Sequence, residues 1–210
     1  MPPLEDGLVR GSDGVLRCSW GDSTPEYRAY HDEEWGLPVA DDTRLFEMLS
    51  LEGFQAGLSW LTILRKREAF REAFAGFDPE LVARFGKRDV SRLLKDARIV
   101  RHSGKIEAVI ANAARALELI EDEGSIAAYV WRYEPSLPDV KVDAAAVRDR
   151  EQVPEAKALA RDLKRRGWRF VGPSTVYAFM QATGLVEDHV DRCAARKPAE
   201  RARAAFKRRS

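Results

Sequence analysis

Asp41-Asp42-Thr43-Arg44-Leu45-Phe46-Glu47-Met48-Leu49-Ser50-Leu51-Glu52-Gly53-Phe54 decides the fold class. Two aspartates able to cap a helix N-terminus precede Leu45, Phe46, Leu49 and Phe54, whose spacing gathers apolar groups on one helical face. The same period returns along the chain. A second helix is expected from about Leu61 to Phe74, ending near Gly76, and Asp78-Pro79 opens a third. Val90, Leu93 and Leu94 mark a short helix, and Ile106, Val109, Ile110, Ala113 and Leu117 a longer one. Helices are expected again at Glu155–Arg166, Ser174–Thr183 and around Glu187–Ala195. Only Trp168-Arg169-Phe170-Val171 reads as extended, and no repeat or alternating strand series is present, so the expected class is all-α.

The 210 residues suit one domain or two lobes around a cleft, and a 45% apolar fraction can fill its core. Charged residues make up 33% yet nearly cancel, leaving +1, so any surface for a polyanion must be local. The expected organisation is an N-terminal extension over 1–17, a main domain over 18–193 and a basic tail over 194–210. Within the domain, about 133–154 turns polar and Pro-bearing and reads as a crossover. From Arg192 to Arg209 eight Lys/Arg face one acid, Glu200. This is either a solvated terminus or a phosphate-binding cluster. The acidic, Gly/Pro-bearing start does not resemble a signal peptide, and no apolar run approaches a membrane span. A cytoplasmic protein is expected.

Both cysteines and two of the three histidines form two pairs near opposite ends, Cys18 with His31 and His189 with Cys193. On a helix the second pair, at i and i+4, would share a face. Two thiolates and two imidazoles are the donor set of tetrahedral Zn²⁺, so Cys18, His31, His189 and Cys193 are the candidate ligands. Chance packing and a Cys18–Cys193 disulfide are the other readings of the same residues.

Two further stretches carry chemistry. Leu93 to Ile106 reads as helix, tight apolar link and helix. Its basic region, Arg101-His102-Ser103-Gly104-Lys105, could present side chains and helix N–H groups to a DNA phosphate, although an ordinary αα-hairpin has the same spacing. Leu51-Glu52-Gly53-Phe54-Gln55-Ala56-Gly57-Leu58-Ser59-Trp60 sets a carboxylate in an apolar run beside glycines and a tryptophan. Burial would raise the pKa of Glu52, and a carboxylate among ring faces suits a flat, cationic heterocycle.

These stretches resemble the DNA-3-methyladenine glycosylase I family of bacteria. The likeness runs from Cys18-x-Trp20 through Tyr30-His31-Asp32-x-x-Trp35-Gly36 and Leu51-Glu52-Gly53-x-Gln55-Ala56-Gly57-Leu58-Ser59-Trp60. It continues through Arg101-His102-x-Gly104-Lys105-Ile106 and Phe170-Val171-Gly172 to Phe179-Met180-Gln181-Ala182-x-Gly184-Leu185-Val186-x-Asp188-His189. The resemblance implies an all-α helix-hairpin-helix enzyme that hydrolyses the N-glycosidic bond of 3-methyladenine flipped from double-stranded alkylated DNA. It implies one structural zinc on the four residues above and a monofunctional, monomeric enzyme.

It further implies that Glu52 hydrogen-bonds the damaged base, Tyr30 adds a polar contact, Trp60 stacks on the ring, and Trp20 and Tyr27 complete the wall. The hairpin would be Ala97–His102, with Arg101, His102 and Lys105 toward DNA. Arg98 stands where members often have Gly, and Ser103 where some have Arg. Two other functions fit parts of the chain. A non-catalytic reader of alkylated bases could use the same pocket. His31-Asp32-Glu33 matches half of a zinc deaminase signature, but the P-C-x-x-C half is absent and four protein ligands would leave zinc no open position.

Overall fold

A computed structural model describes residues 7–136, 142, 143, 145–147 and 153–207 of the chain. Leu8–Arg10 (β1) pairs antiparallel with Leu16–Cys18 (β2), and a 3₁₀ turn at Ser19–Asp22 follows. The helices are Pro25–Glu33 (α1), Asp42–Gln55 (α2), Trp60–Ala73 (α3), Pro79–Val82 (α4), Lys87–Lys95 (α5), Ser103–Glu123 (α6) and Ile126–Val130 (α7). Pro154–Arg165 (α8), Pro173–Ala182 (α9) and Arg196–Ala205 (α10) complete the set among the described residues. The chain is thus mostly helical, as its periodicity requires.

Helix α2 is the axis of the core. Asp41 caps it by accepting from Arg44 N at 2.8 Å. Every residue from Leu45 to Phe54 is buried, because α3, α6, α7 and α9 pack around it. Its far end meets a run of phenylalanine rings, with Phe54 4.6 Å from Phe70 and Phe74 5.5 Å from Phe77 between centroids. Asp78 caps α4 by accepting from Glu80 N at 2.8 Å. The capping and Pro-at-N1 signals therefore behaved as the sequence rules state.

Several expectations are corrected. Within the extension expected over 1–17, Leu8–Arg10 forms β1, and Leu8 is buried against Cys18, Val190 and Cys193. Helix α1 escaped the apolar-period reading; Thr24, whose hydroxyl accepts from Tyr27 N, followed by Pro25 was its available signal. Trp168–Val171 is not a strand, and no helix forms over 187–195. There the backbone N–H groups have other partners: His189 N donates to the Glu187 carboxylate at 2.8 Å and Asp191 N to Val142 O at 2.8 Å, while Arg192 adopts φ 70°. The crossover expected over about 133–154 lies partly outside the described residues.

The basic tail is also structured. Helix α10 buries Ala199, and Arg203 meets Glu134 at 2.6 Å. The Phe206 ring lies 4.6 Å from that of Trp131, whose indole N–H donates to Val39 O at 2.9 Å. Phe206→Ala removes that half-buried ring contact. The expected cost is about 1–2 kcal/mol of unfolding free energy, read as a lower urea midpoint, below the value for a fully buried ring. An unchanged midpoint would mean that the tail does not contribute to the fold.

Candidate functional site

A cavity of about 340 Å³ opens where α1, α2, α3, α9 and the 3₁₀ turn converge. Four of these elements deliver the expected side chains: Trp20 from the turn, Tyr27 and Tyr30 from α1, Glu52 from the last turn of α2, and Trp60 from the first turn of α3. All five were expected to meet, and they do. Trp35, Gln55, Gln181 and Asp188 also line it and were not singled out. Gln55 follows Glu52 at i+3 on one helix and so faces the same side, a signal the sequence did offer.

Geometry fixes the rings. Tyr27 and Trp20 meet edge to face at 5.6 Å, and Tyr30 lies 5.5 Å from Trp60. The Tyr27 hydroxyl accepts from Leu61 N at 3.0 Å, joining α1 to the start of α3. Burial pushes the Tyr30 phenol well above its usual range, so it stays a neutral O–H donor.

Two carboxylates on α2 have opposite environments. Glu47 is matched by Arg44 at 2.8 Å and Arg71 at 2.9 Å. Glu52 is 5% exposed and has no hydrogen bond or ion pair among the described residues. With nothing to offset desolvation, its pKa is pushed up to about 8. An uncompensated carboxyl in an aromatic cavity will ionise most readily when a cation enters.

At the edge of the cavity, which Cys18 also lines, donor atoms of Cys18, His31 and Cys193 lie within 4.8 Å of one another. Both thiols are free, and His31 Nε2 is 3.4 Å from Cys193 Sγ. Hydrogen bonds from Cys18 and His31 hold Cys193 below the ordinary thiol range. His31 Nδ1 contacts Asp32 at 2.8 Å, and Arg17 clamps that carboxylate at 2.8 Å.

His189 is not in that three-residue group, yet its ring centre lies 5.0 Å from that of His31. Its Nδ1 is 2.7 Å from Glu187, and its Nε2 is buried without a hydrogen-bond partner. A carboxylate on Nδ1 with Nε2 left bare is the arrangement of a metal-binding histidine. A Cβ at Gly21 would come within 2.5 Å of the His31 ring, and one at Gly36 within 2.8 Å of His189, so both positions need glycine. His189 and Cys193 converge through a turn, not on the helix face their spacing first implies. Trp35 touches both regions: it lines the cavity and packs 4.7 Å from His189 and 5.0 Å from Trp20.

On the other side of α2, α5 and α6 are joined by a link over 96–102. His102 caps α6, its Nδ1 accepting from Lys105 N at 3.2 Å. Lys66 Nζ donates to the Arg98 carbonyl at 2.9 Å, and Arg98 itself is held by Asp96 and Glu72. Arg101 and His102 are exposed. Lys105 is not: only 8% exposed, its Nζ donates to the carbonyls of Phe54 at 2.8 Å and Ala56 at 2.5 Å. Lys105, expected to be a phosphate-contacting or a structural residue, thus ties the unpaired carbonyls at the end of α2.

A sequence profile of the family described as methyladenine glycosylase matches residues 20–197. DNA-3-methyladenine glycosylase 1 of Escherichia coli (strain K12) is 46% identical over 177 residues, covering 84% of this chain and 95% of that protein. Two solved structures superpose with TM-scores of 0.79 at 39% identity, each covering 86% of this chain and 97% of its own. One is a Tyr-to-Phe variant of 3-methyladenine DNA glycosylase I in complex with 3-methyladenine. The other is a Glu-to-Gln mutant of 3-methyladenine DNA glycosylase I from Staphylococcus aureus.

Glu52 gives this site a pH signature. Its folded pKa of about 8 lies above the ordinary 4.5, so between those values the folded state keeps a proton that the unfolded state releases. Stability is therefore lost as pH rises through that window. Glu52→Gln has no such proton, so its stability relative to the unsubstituted protein should increase from pH 5 to pH 8. Urea midpoints at the two pH values test this; a constant difference would place the Glu52 carboxyl in contact with water or a cation.

Proposed function

We propose that this chain, which belongs to the methyladenine glycosylase family, hydrolyses the N-glycosidic bond of 3-methyladenine in alkylated DNA, releasing the base and leaving an abasic site. The observation that carries the reading is Glu52, a buried carboxyl without a hydrogen bond or ion pair among the described residues, in a cavity walled by Trp20, Tyr27, Tyr30 and Trp60. The variant structures support it. The position numbers of their substituted tyrosine and glutamate differ by the same amount as those of Tyr30 and Glu52.

Alkylation at N3 makes adenine a cation and a good leaving group, so the enzyme need not protonate it. What remains is to extrude the nucleotide, hold its charge and admit water to the anomeric carbon. Extrusion costs a few kcal/mol, less for a damaged base. Ionised Glu52 favours the cationic base over neutral adenine, and the excluded water strengthens that preference. Trp60 stacks on the ring, worth roughly 1–3 kcal/mol per base. Tyr30 donates its hydroxyl proton to an acceptor on the base edge. Water is the nucleophile, because the Lys105 ammonium is held by two carbonyls rather than offered as a free amine.

The link over 96–102 serves as the hairpin of a helix-hairpin-helix motif, with Arg101 and His102 toward phosphate on double-stranded DNA. Cys18, His31, Cys193 and His189 would hold one zinc ion. The bare, buried Nε2 of His189 and the carboxylates on both Nδ1 atoms fit that ion. Bound there, zinc supplies a tetrahedral cross-link between the two ends of the fold. The enzyme works as a cytoplasmic monomer.

The zinc assignment is checked by His189→Ala, which should lower metal content by elemental analysis and melting temperature together. Normal metal content in that variant would remove His189 from the ligand set. For the reaction, the measurement is release of free 3-methyladenine from alkylated DNA. Glu52→Gln should slow it at least about a hundredfold, the order of a charge interaction of about 3 kcal/mol, with DNA affinity little changed. Near-normal release would end the recognition role of Glu52, and no release by the unsubstituted protein would leave only a reader of alkylated bases.

A further inference from the structure

Between the link over 96–102 and the end of α2, one aromatic side chain is held out toward solvent. Trp168 and Val171 are buried, while Arg169 and Phe170 between them are exposed, Phe170 to 38%. Phe170 has φ 56°, a left-handed conformation that costs a bulky side chain energy. Phe77 shares it at φ 58°, but that ring is fully buried and stacks on Phe74, so core packing offsets the strain. The exposed ring of Phe170 gains far less, and glycine would adopt the same backbone without strain. The conformation is imposed from α6. Buried Asn112 donates from Nδ2 to Arg169 O at 2.9 Å and accepts from Arg169 N at 2.8 Å, which fixes both backbone groups of Arg169. Phe170 then meets the His102 ring edge to face at 6.3 Å between centroids. On its other side a Cβ at Gly53, the residue after Glu52, would lie 3.4 Å from the Phe170 Cβ.

Charge identifies the partner. The side chains of Arg101 and Arg169 have no hydrogen bond or ion pair among the described residues, unlike Arg98, which Asp96 and Glu72 neutralise. Arg169 precedes the exposed ring, and Arg101 precedes the histidine on which that ring stands. Free guanidiniums beside an exposed ring match a polyanion with apolar faces, its phosphates meeting the cations and its deoxyribose C–H surface the ring. We propose that Arg169 and Phe170 form a second DNA contact next to the link over 96–102, in which the Arg169 guanidinium meets a phosphate and the Phe170 ring packs on the adjoining deoxyribose. This contact rests on the reading of the chain as a DNA glycosylase. It accounts for the strain: the ring is held where the duplex arrives, not where the core needs it.

The probe is a duplex oligonucleotide carrying one tetrahydrofuran abasic-site analogue, with binding followed by fluorescence anisotropy between about 50 and 200 mM salt. Phe170→Gly should weaken binding about fivefold or more at every salt concentration, the scale of a ring left in water, with the salt slope unchanged because no charge is lost. Arg169→Gln should flatten the slope of log affinity against log salt by about 0.9, the share of one phosphate. Both variants should bind free 3-methyladenine as the unsubstituted protein does, read from quenching of the cavity tryptophans. The urea midpoint of Phe170→Gly should not fall, since relief of the left-handed backbone offsets the lost ring contact. Unchanged duplex binding by Phe170→Gly, or an unchanged slope in Arg169→Gln, overturns the proposal. So does a lowered midpoint in Phe170→Gly, which would make the ring a packing group, and so does an equal loss of free-base binding, which would make it part of the pocket. Release of 3-methyladenine from alkylated DNA is measured in parallel. Release by the unsubstituted protein with duplex binding that ignores both substitutions overturns this contact alone, and absence of release overturns the glycosylase reading beneath it.

Discussion

One helix enclosed around its whole circumference governs this protein. Because α2 is buried at every residue from Leu45 to Phe54, each polar group it carries must find compensation or remain costly. Glu47 finds it in Arg44 and Arg71. Glu52 does not, and the absence is what gives it chemistry. A carboxyl raised to about 8 by desolvation alone marks a place where the fold has left a charge to be supplied from outside. The surrounding rings make that place flat-walled and dry.

The two ends of the chain meet behind this wall. Cys18 follows the first hairpin, and Cys193 lies in the turn before the last helix. Val190 N donates to Cys18 Sγ at 3.4 Å, and Ala194 N to Leu16 O at 2.9 Å. Trp20 and Trp35 touch both the cysteine–histidine cluster and the cavity, which Cys18 itself also lines. Gly21 and Gly36, pressed against the two histidines, let the backbone come close enough for this.

Lys105 provides the corresponding connection on the other side. It sits in the first turn of α6, beyond the exposed Arg101 and His102, and reaches under α2 to hold its last carbonyls. A cation at a helix C-terminus is favourable, and its partial burial lowers the pKa of the ammonium. Besides the packing of α6 on α2, the Lys105 side chain thus joins the surface proposed to meet DNA to the helix carrying Glu52.

Local signals in the sequence went far. The 3,4 spacing around Leu45–Phe54 and along Ile106–Leu117, with caps at Asp41 and Asp78, is written in neighbouring residues, and those helices formed where expected. The aromatic–acid grouping of Tyr30, Glu52 and Trp60 was also legible, and so was the convergence of Cys18 and His31 with Cys193, in a chain with two cysteines and three histidines. What the sequence did not determine depends on contacts between distant segments. Glu187–Ala195 carries helical spacing, but the Glu187 carboxylate and Val142 O capture its N–H groups. Lys105 reads as a surface cation until α2 ends above it. Sequence by itself determined which segments are helical and which side chains carry reactive chemistry, because these follow from spacing and atom type. Only the tertiary structure decided which of those side chains are desolvated, paired or aimed into the cavity, because desolvation and orientation are properties of what surrounds a group.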